Sequence, residues 1–519
     1  MSIIELGGSI PSLTAHAVSM SLPTWTDNVD YEEGASRVIN KIPNGYPRSI
    51  VAFADDIIAR YSTPDRQAML FPSSKTAQRC RTFIEAKAEP GVAGQVKIID
   101  LLLDKTREAS KIMAKISPSV SAVIFNKDIF PIAKEYWQHT GDGISSRHAE
   151  FCHSLFLDGR LAASTSPQPT VNRKKGPRRY QAGSVYQAFS EENKVAPERV
   201  ESTQFLEERF GRNLDISLVD NAKSAIRQCI AGSLVGEVDL AVELSKTASD
   251  SRGVKGLSDG DIYLYPCGMN SIFNSHRMLM ECRGQLKSIS FGFPYVDTLK
   301  ILQKLGPGCL FYGHGSSEEL DDLEPRLKGG ERYLALFCEF FGNPMLKCPD
   351  LNAILNPEGR YYQQLKSAFE ANYEDNYWVE DIMFMERNSR DFVIRIKKIN
   401  DNAEAMYNVL QGHSLVKEVY YPKYSPTKQF YDDCRTPAGG RIMRLHFFDR
   451  VETAKGPSLS TNFTLTSPYV LLAHYREFEW AVGFGVPADL LRISVGVEDK
   501  EDLKSRFAIA LKAAEAVEF

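Results

Sequence analysis

At 519 residues the chain has the length of about three domains. Its 43% hydrophobic and 25% charged residues are those of a globular protein and speak against disorder or a fibrous repeat, and a net charge of −4 speaks against a dedicated nucleic-acid binder. Nine cysteines without a CxxC pair speak against a disulfide framework or a zinc ribbon, and reduced thiols are expected.

The start, MSIIELGGSIPSLTAHAV, lacks the basic flank and apolar block of a secretory signal, and no apolar run approaches membrane-spanning length. A cytoplasmic protein without membrane contact is expected. Residues 1–165 mix short helical and extended pieces with many prolines and read as an N-terminal extension domain of unassigned role. Within it, RHAEFCHSLF sets His148 and Cys152 at i, i+4 beside His153, on what reads as an amphipathic helix rather than a metal site. Residues 166–198 form a polar linker containing the basic cluster Arg173–Tyr180. A large domain over 199–355 follows, opening with helical stretches on either side of Gly211 and a stop at Gly232.

From Asp261 the pattern becomes regular. The apolar run Ile262–Tyr265, closed by Pro266, predicts a strand. Met269, Ile272, Phe273, His276, Leu279 and Met280 then recur at helical spacing, with Gly268 at the joint. A helix starting there leaves its first amides unpaired, which suits an anion such as phosphate; an ordinary turn with water on those amides fits the same residues. Strands over 288–293, 309–313 and 333–340 alternate with helices at 298–306 and 316–327, the signature of a parallel sheet whose ligands lie beyond the carboxyl ends of its strands. The rhythm then breaks: after Ile354 come loop, helix and loop until about Val393. Residues 356–519 read as a smaller α/β domain, with a helix at 393–411, strands at VKEVYYP, RIMRLHFF and LLRISVGV, a helical YVLLAHYREFEWAV and a closing helix.

Taken in order, these elements, together with SLPTWTDNVDYEEG near the start and KEVYYPKYSPT near the end, resemble the pyridoxal-phosphate (PLP) enzymes of cysteine and methionine metabolism, most closely the fungal cystathionine gamma-synthases. The resemblance implies a PLP-dependent transferase of type I fold, α/β throughout, with a parallel-sheet large domain that is incomplete here. It implies that the backbone of Cys267, Gly268 and Met269 holds the cofactor phosphate, that Tyr295 stacks on the pyridine ring, and that Asn343 bonds the ring hydroxyl. Arg212 matches an arginine reaching the phosphate of a neighbouring subunit, so a homo-dimer or tetramer is implied. Arg492 matches the arginine that grips the substrate carboxylate, a task for a planar bidentate donor. The implied reaction joins cysteine to an O-acyl-homoserine by γ-replacement.

Several positions depart from the family pattern. Phe210 stands for a tyrosine, Cys267 for a serine, Phe341 and Gly342 for a Pro-Ser pair, and Ser460 for a glycine. Between Ile354 and Asn356 the resemblance calls for a helix, a strand ending in the aspartate that faces the pyridinium nitrogen, and the turn with the lysine that tethers the cofactor. None of these is present: Lys347, Lys366, Lys397 and Lys398 do not follow a strand end with small residues. No catalytic residue is therefore assigned. The chain as written is expected to be inactive, with a non-catalytic PLP-fold subunit that pairs with an intact relative as the alternative. A nucleotide-binding reading lacks any G-x-G-x-x-G or Walker sequence.

Overall fold

The computed structural model describes residues 5–12, 14, 16–17, 19–41, 47–89, 95–104, 111–164, 218–231, 257–354, 361–430, 441–442, 445–458 and 461–516. Phe210, Arg212, the whole polar linker 166–198 and Ser460 lie outside them.

The N-terminal region forms an ordered α/β/α sandwich. Among the described residues its antiparallel sheet runs in the order Arg66–Phe71, Ser119–Asn126, Lys97–Leu103, Leu161–Ala163. The central strand shows why: Val120, Ala122 and Ile124 enter one apolar core with the helices Arg48–Tyr61 and Ser146–Leu157. Val123 and Phe125 point the other way, into a second core with Ser74–Lys87 and Phe130–Thr140. The period-2 alternation of a strand thus feeds two covered faces.

The site-bearing unit has a parallel sheet ordered Cys309–Tyr312, Ser288–Phe291, Leu336–Cys338, as the strand–helix alternation predicts. Three helices flank it: Gly268–Arg283, hereafter the turn helix, Val296–Lys304, and Ser317–Lys328, which starts in a capping box between Ser316 and Glu319. The strand expected at 261–266 is not formed. Only a short 3-10 turn, Asp259–Asp261, is regular there, and no strand among the described residues lies alongside to pair with the segment that follows. Its groups are taken up by side chains instead: Tyr263 packs on Phe369 with ring centres 4.9 Å apart, and the Tyr373 hydroxyl donates to the Leu264 carbonyl at 2.7 Å.

The C-terminal unit carries a mixed sheet ordered Arg441–Ile442, Arg492–Ser494, Leu465–Ser467, Ala454–Lys455 among the described residues. The helices Phe392–Gln411 and Lys500–Glu515 cover it with Ala403, Met406, Leu410, Leu503, Phe507 and Leu511. Two predicted strands are corrected here. VKEVYYP forms no strand, because Tyr421 is drawn into the core and stacks on Tyr407 at 5.5 Å. RIMRLHFF is a strand only at Arg441–Ile442 and turns into the helix Leu445–Arg450, which buries Phe447 and Phe448.

The units interleave. Residues Ser9–Ile10 and Ser19–Met20 pair as a hairpin that packs through Ile10 on Ala454 and Leu465 of the C-terminal unit. The helices Tyr362–Asn372 and Val379–Ser389 follow the break in rhythm, and between them Trp378 enters the N-terminal core, stacking on His148 at 4.2 Å. His148 also lies 3.1 Å from the Ser119 carbonyl, and His153 pairs with Asp56 at 2.6 Å, so that histidine pair serves packing. Among the described residues no helix is long and apolar enough to cross a membrane.

Candidate functional site

The turn helix begins at Gly268 with Cys267 as its N-cap, in extended conformation (φ −155°, ψ 167°), and no side-chain hydrogen bond caps it. Of its opening amides, those of Met269 and Asn270 face only the Cys267 sulfur, a weak acceptor that leaves room for a stronger one. Cys267 and Gly268 are accessible, and space for a Cβ is open at Gly268. Desolvation by the surrounding chain pushes the Cys267 thiol up, against the pull of the Asn270 and Met269 amides facing its sulfur.

Beyond the carboxyl ends of the parallel strands lies a cavity of about 280 Å³. The turn helix lines it with Ser271, Ile272 and Ser275, and the opposite wall includes Pro294, Thr298 and Glu339. Tyr295 is the N-cap of Val296–Lys304, and its amide donates to Glu339 Oε2 at 2.8 Å while the Thr298 hydroxyl donates to Oε1 at 2.9 Å. The carboxylate thus caps a helix start, where negative charge is favoured. Burial raises the Glu339 carboxyl, partly offset by those two donors. The Tyr295 side chain remains 37% exposed, and its hydroxyl is pushed up by burial and by Asp297.

Asn343 is set by its backbone, whose N–H donates to the Phe293 carbonyl at 2.8 Å. Its side chain donates to the Tyr469 hydroxyl at 3.0 Å and accepts from Arg492 Nη1 at 3.4 Å. Arg492 is 8% exposed, and burial pulls its guanidinium down to about 10, with Tyr469 and Tyr295 acting the other way. Its Nε is buried without a hydrogen-bond partner. A buried, unpaired donor of that kind carries a free-energy penalty that an acceptor such as a carboxylate relieves.

Of the expected residues, Tyr295, Asn343 and Arg492 are brought together. Cys267, Gly268 and Met269 are not bonded to them; they open the helix whose Ser271, Ile272 and Ser275 line the cavity, and Pro294 and Thr298, on either side of Tyr295, line its other wall. Arg212 lies outside the described residues. Glu339 and Tyr469, which tie the cluster together, were not singled out from sequence; a lone glutamate before Phe340 and a tyrosine after Pro468 give no local signal. No lysine lines the cavity among the described residues. Lys366 is bound 2.6 Å from Asp261, Lys347 is exposed, and Lys397 and Lys398 sit on the exposed face of Phe392–Gln411.

Residues 49–145 match the family described as fungal trans-sulfuration enzyme, N-terminal domain. Over the whole length, the chain is 46% identical to the cystathionine gamma-synthase of Neurospora crassa, covering 99% of each. It is 31% identical to the cystathionine gamma-synthase of Saccharomyces cerevisiae, over 98% of this chain and 99% of that one. These comparisons run over 615 and 654 positions, more than the 519 residues present, so each relative has positions without a counterpart here. Among solved structures, the cystathionine gamma synthase of Xanthomonas oryzae pv. oryzae in complex with cystathionine is similar at 17% identity and a TM-score of 0.42, over 57% of this chain and 98% of that one, too weak a likeness to carry an argument.

Proposed function

Because the chain belongs to the family of the fungal cystathionine gamma-synthases, we propose that its cavity is a pyridoxal 5′-phosphate site of transsulfuration, built for γ-replacement on an O-acyl-homoserine by cysteine. The observation that carries this reading is the convergence of Tyr295, Asn343 and Arg492 beyond the strand ends, with an unpaired guanidinium Nε in a buried setting. In this reading the amides after Cys267 hold the phosphate, Tyr295 covers the ring, Asn343 bonds the ring hydroxyl and Arg492 takes the amino-acid carboxylate. The cofactor, when bound, supplies an electron sink for carbanion charge. Tyr469 holds Asn343 and Arg492 in register, and Glu339 fixes the segment that presents Tyr295. We place the protein in the cytoplasm as a homo-oligomer in which Arg212 serves a neighbouring subunit.

The residues present fit holding of the cofactor but not its tethering or turnover. Among the described residues the cavity offers one carboxylate, already committed to a helix start, and no amine. The edge strand Leu336–Cys338 and the unpaired segment 262–266 support an internal loss, as do the extra positions of the relatives. Beside that edge runs a cleft of about 1030 Å³, lined in part by Leu286, Ile289, Leu320, Leu323, Leu336 and Ile354. In the written form the chain is therefore a non-catalytic member that binds the cofactor or an intact relative. The test is to incubate the purified chain with PLP, O-acyl-homoserine and cysteine, and to treat a second sample with PLP and borohydride. Bound cofactor, no pyridoxyl-modified lysine and no cystathionine are expected; cystathionine formation would refute the inactivity, and failure to bind PLP would refute the cofactor site.

A further inference from the structure

Asp142 lies where the N-terminal sandwich meets the turn helix, with its side chain 2% exposed. Three side chains converge on it. Arg79 Nη2 is 3.2 Å from Oδ2, the Tyr136 hydroxyl donates to Oδ2 at 2.6 Å, and the Asn270 amide donates to Oδ1 at 2.8 Å. Asn270 is the third residue of the turn helix, and its Nδ2 also donates to the Thr140 carbonyl at 3.1 Å. Between these two acceptors the chain turns at Gly141, with φ +61°. A Cβ there would sit 2.6 Å from Cys267 Sγ and 2.9 Å from the Asn270 nitrogen, so the loop backbone is pressed directly onto the first turn of the helix.

Such a contact is more than adhesion between two units. A buried carboxylate is stable only when its hydrogen bonds are all made, so it admits one placement of the loop against the helix. The amides that open the helix must in turn aim at an anion, because their bonds weaken steeply below about 120°. Arg79 locks the arrangement from the far side by pairing with Glu374 at 2.6 Å.

We infer that Asp142 is a positioning residue for the opening amides of the turn helix, acting through Asn270 and the Thr140–Gly141 backbone, and that the N-terminal unit is thereby a structural part of the cofactor site. The inference rests on the reading of Cys267–Met269 as a phosphate turn. The ion pair between Glu135 and Lys304, 2.9 Å long, joins the same helix Phe130–Thr140 to Val296–Lys304 and serves as a control that leaves the turn untouched.

The full-length chain is titrated with PLP by equilibrium dialysis, and amide hydrogen exchange is followed at 140–142 and 268–270. Binding is expected to protect both segments in the wild type; Asn270→Ala raises the dissociation constant about tenfold, while Lys304→Ala leaves it unchanged. A folded Asn270→Ala chain with wild-type affinity overturns the inference, as does protection at 268–270 with none at 140–142. If Asn270→Ala does not fold, the wild-type exchange comparison decides alone. Bound PLP that leaves 268–270 unprotected, or no binding at all, overturns the phosphate-turn reading instead.

Discussion

Arg492 holds its guanidinium carbon 3.9 Å from the centre of the Tyr469 ring, so that one buried aromatic faces the cation while its hydroxyl receives the Asn343 amide. A cation over a desolvated ring is worth about 2 kcal/mol, which helps to explain how an arginine persists in a setting that pulls its pKa down. Tyr469→Phe keeps the stack and removes only the acceptor of Asn343, so a loss of about 1 kcal/mol is expected. Tyr469→Leu removes both and is expected to cost about 3 kcal/mol. Urea midpoints at unchanged slope measure the difference; equal losses would show that the ring does nothing for Arg492.

Glu380 is raised from its ordinary 4.5 to about 7, chiefly by burial, with Arg147 acting against the rise. The folded chain therefore keeps this proton up to about pH 7, whereas the unfolded chain releases it near pH 4.5. The carboxyl's stabilising contribution is full below pH 4.5 and is lost as pH rises through 7. Glu380→Gln removes that loss, so the variant gains on the wild type between pH 5 and pH 8 in thermal unfolding. A constant difference across that range would contradict the assignment.

Asp142→Ala leaves Arg79, the Tyr136 hydroxyl and Asn270 facing a void at a buried junction. Breaking a buried charge pair from one side typically costs about 3–5 kcal/mol. Calorimetry on the full chain should show a loss of that order, well above that of Lys304→Ala, whose pair with Glu135 is partly solvated.

Gly456 supports the N-terminal hairpin by having no side chain. A Cβ there would lie 2.4 Å from the Met20 carbonyl oxygen, and the neighbouring Lys455 carbonyl accepts from the Leu22 amide at 3.0 Å. Gly456→Ala is expected to cost about 1–3 kcal/mol and to speed exchange at Leu22, with little change in the parallel-sheet unit.

On the proposal that the loss lies between Ile354 and Asn356, inserting there the positions that the Neurospora crassa relative has in excess should give a protein that forms cystathionine. Cofactor binding without any product in that chimera would place the defect elsewhere, at Cys267 or Phe341.

Side-chain periodicity made much of the parallel-sheet unit legible. Ile289 and Phe291 alternate on a strand, and Leu299 and Leu302 lie on one face of a helix. Periodicity failed where the partner decides the outcome. Ile262–Tyr265 has the composition of a strand but, among the described residues, no strand beside it to pair with. Ser119–Asn126 runs apolar from Ala122 to Phe125 without alternation because both its faces are covered, and its neighbours in the sheet lie well away in sequence. At the site, Tyr295, Asn343 and Arg492 could be named only through the resemblance, since their roles depend on convergence across the fold. The Asp142–Asn270 bond spans 128 positions and leaves no local trace.

Among the described residues the strand Leu336–Cys338 ends the parallel sheet with no strand on its outer side, beside the greasy trough under Leu323. Such a border recruits any extended polypeptide in reach, including another copy of itself. In a crowded cell this molecule should consequently lean on chaperones, and in the test tube its solubility should decline with concentration before its helices melt.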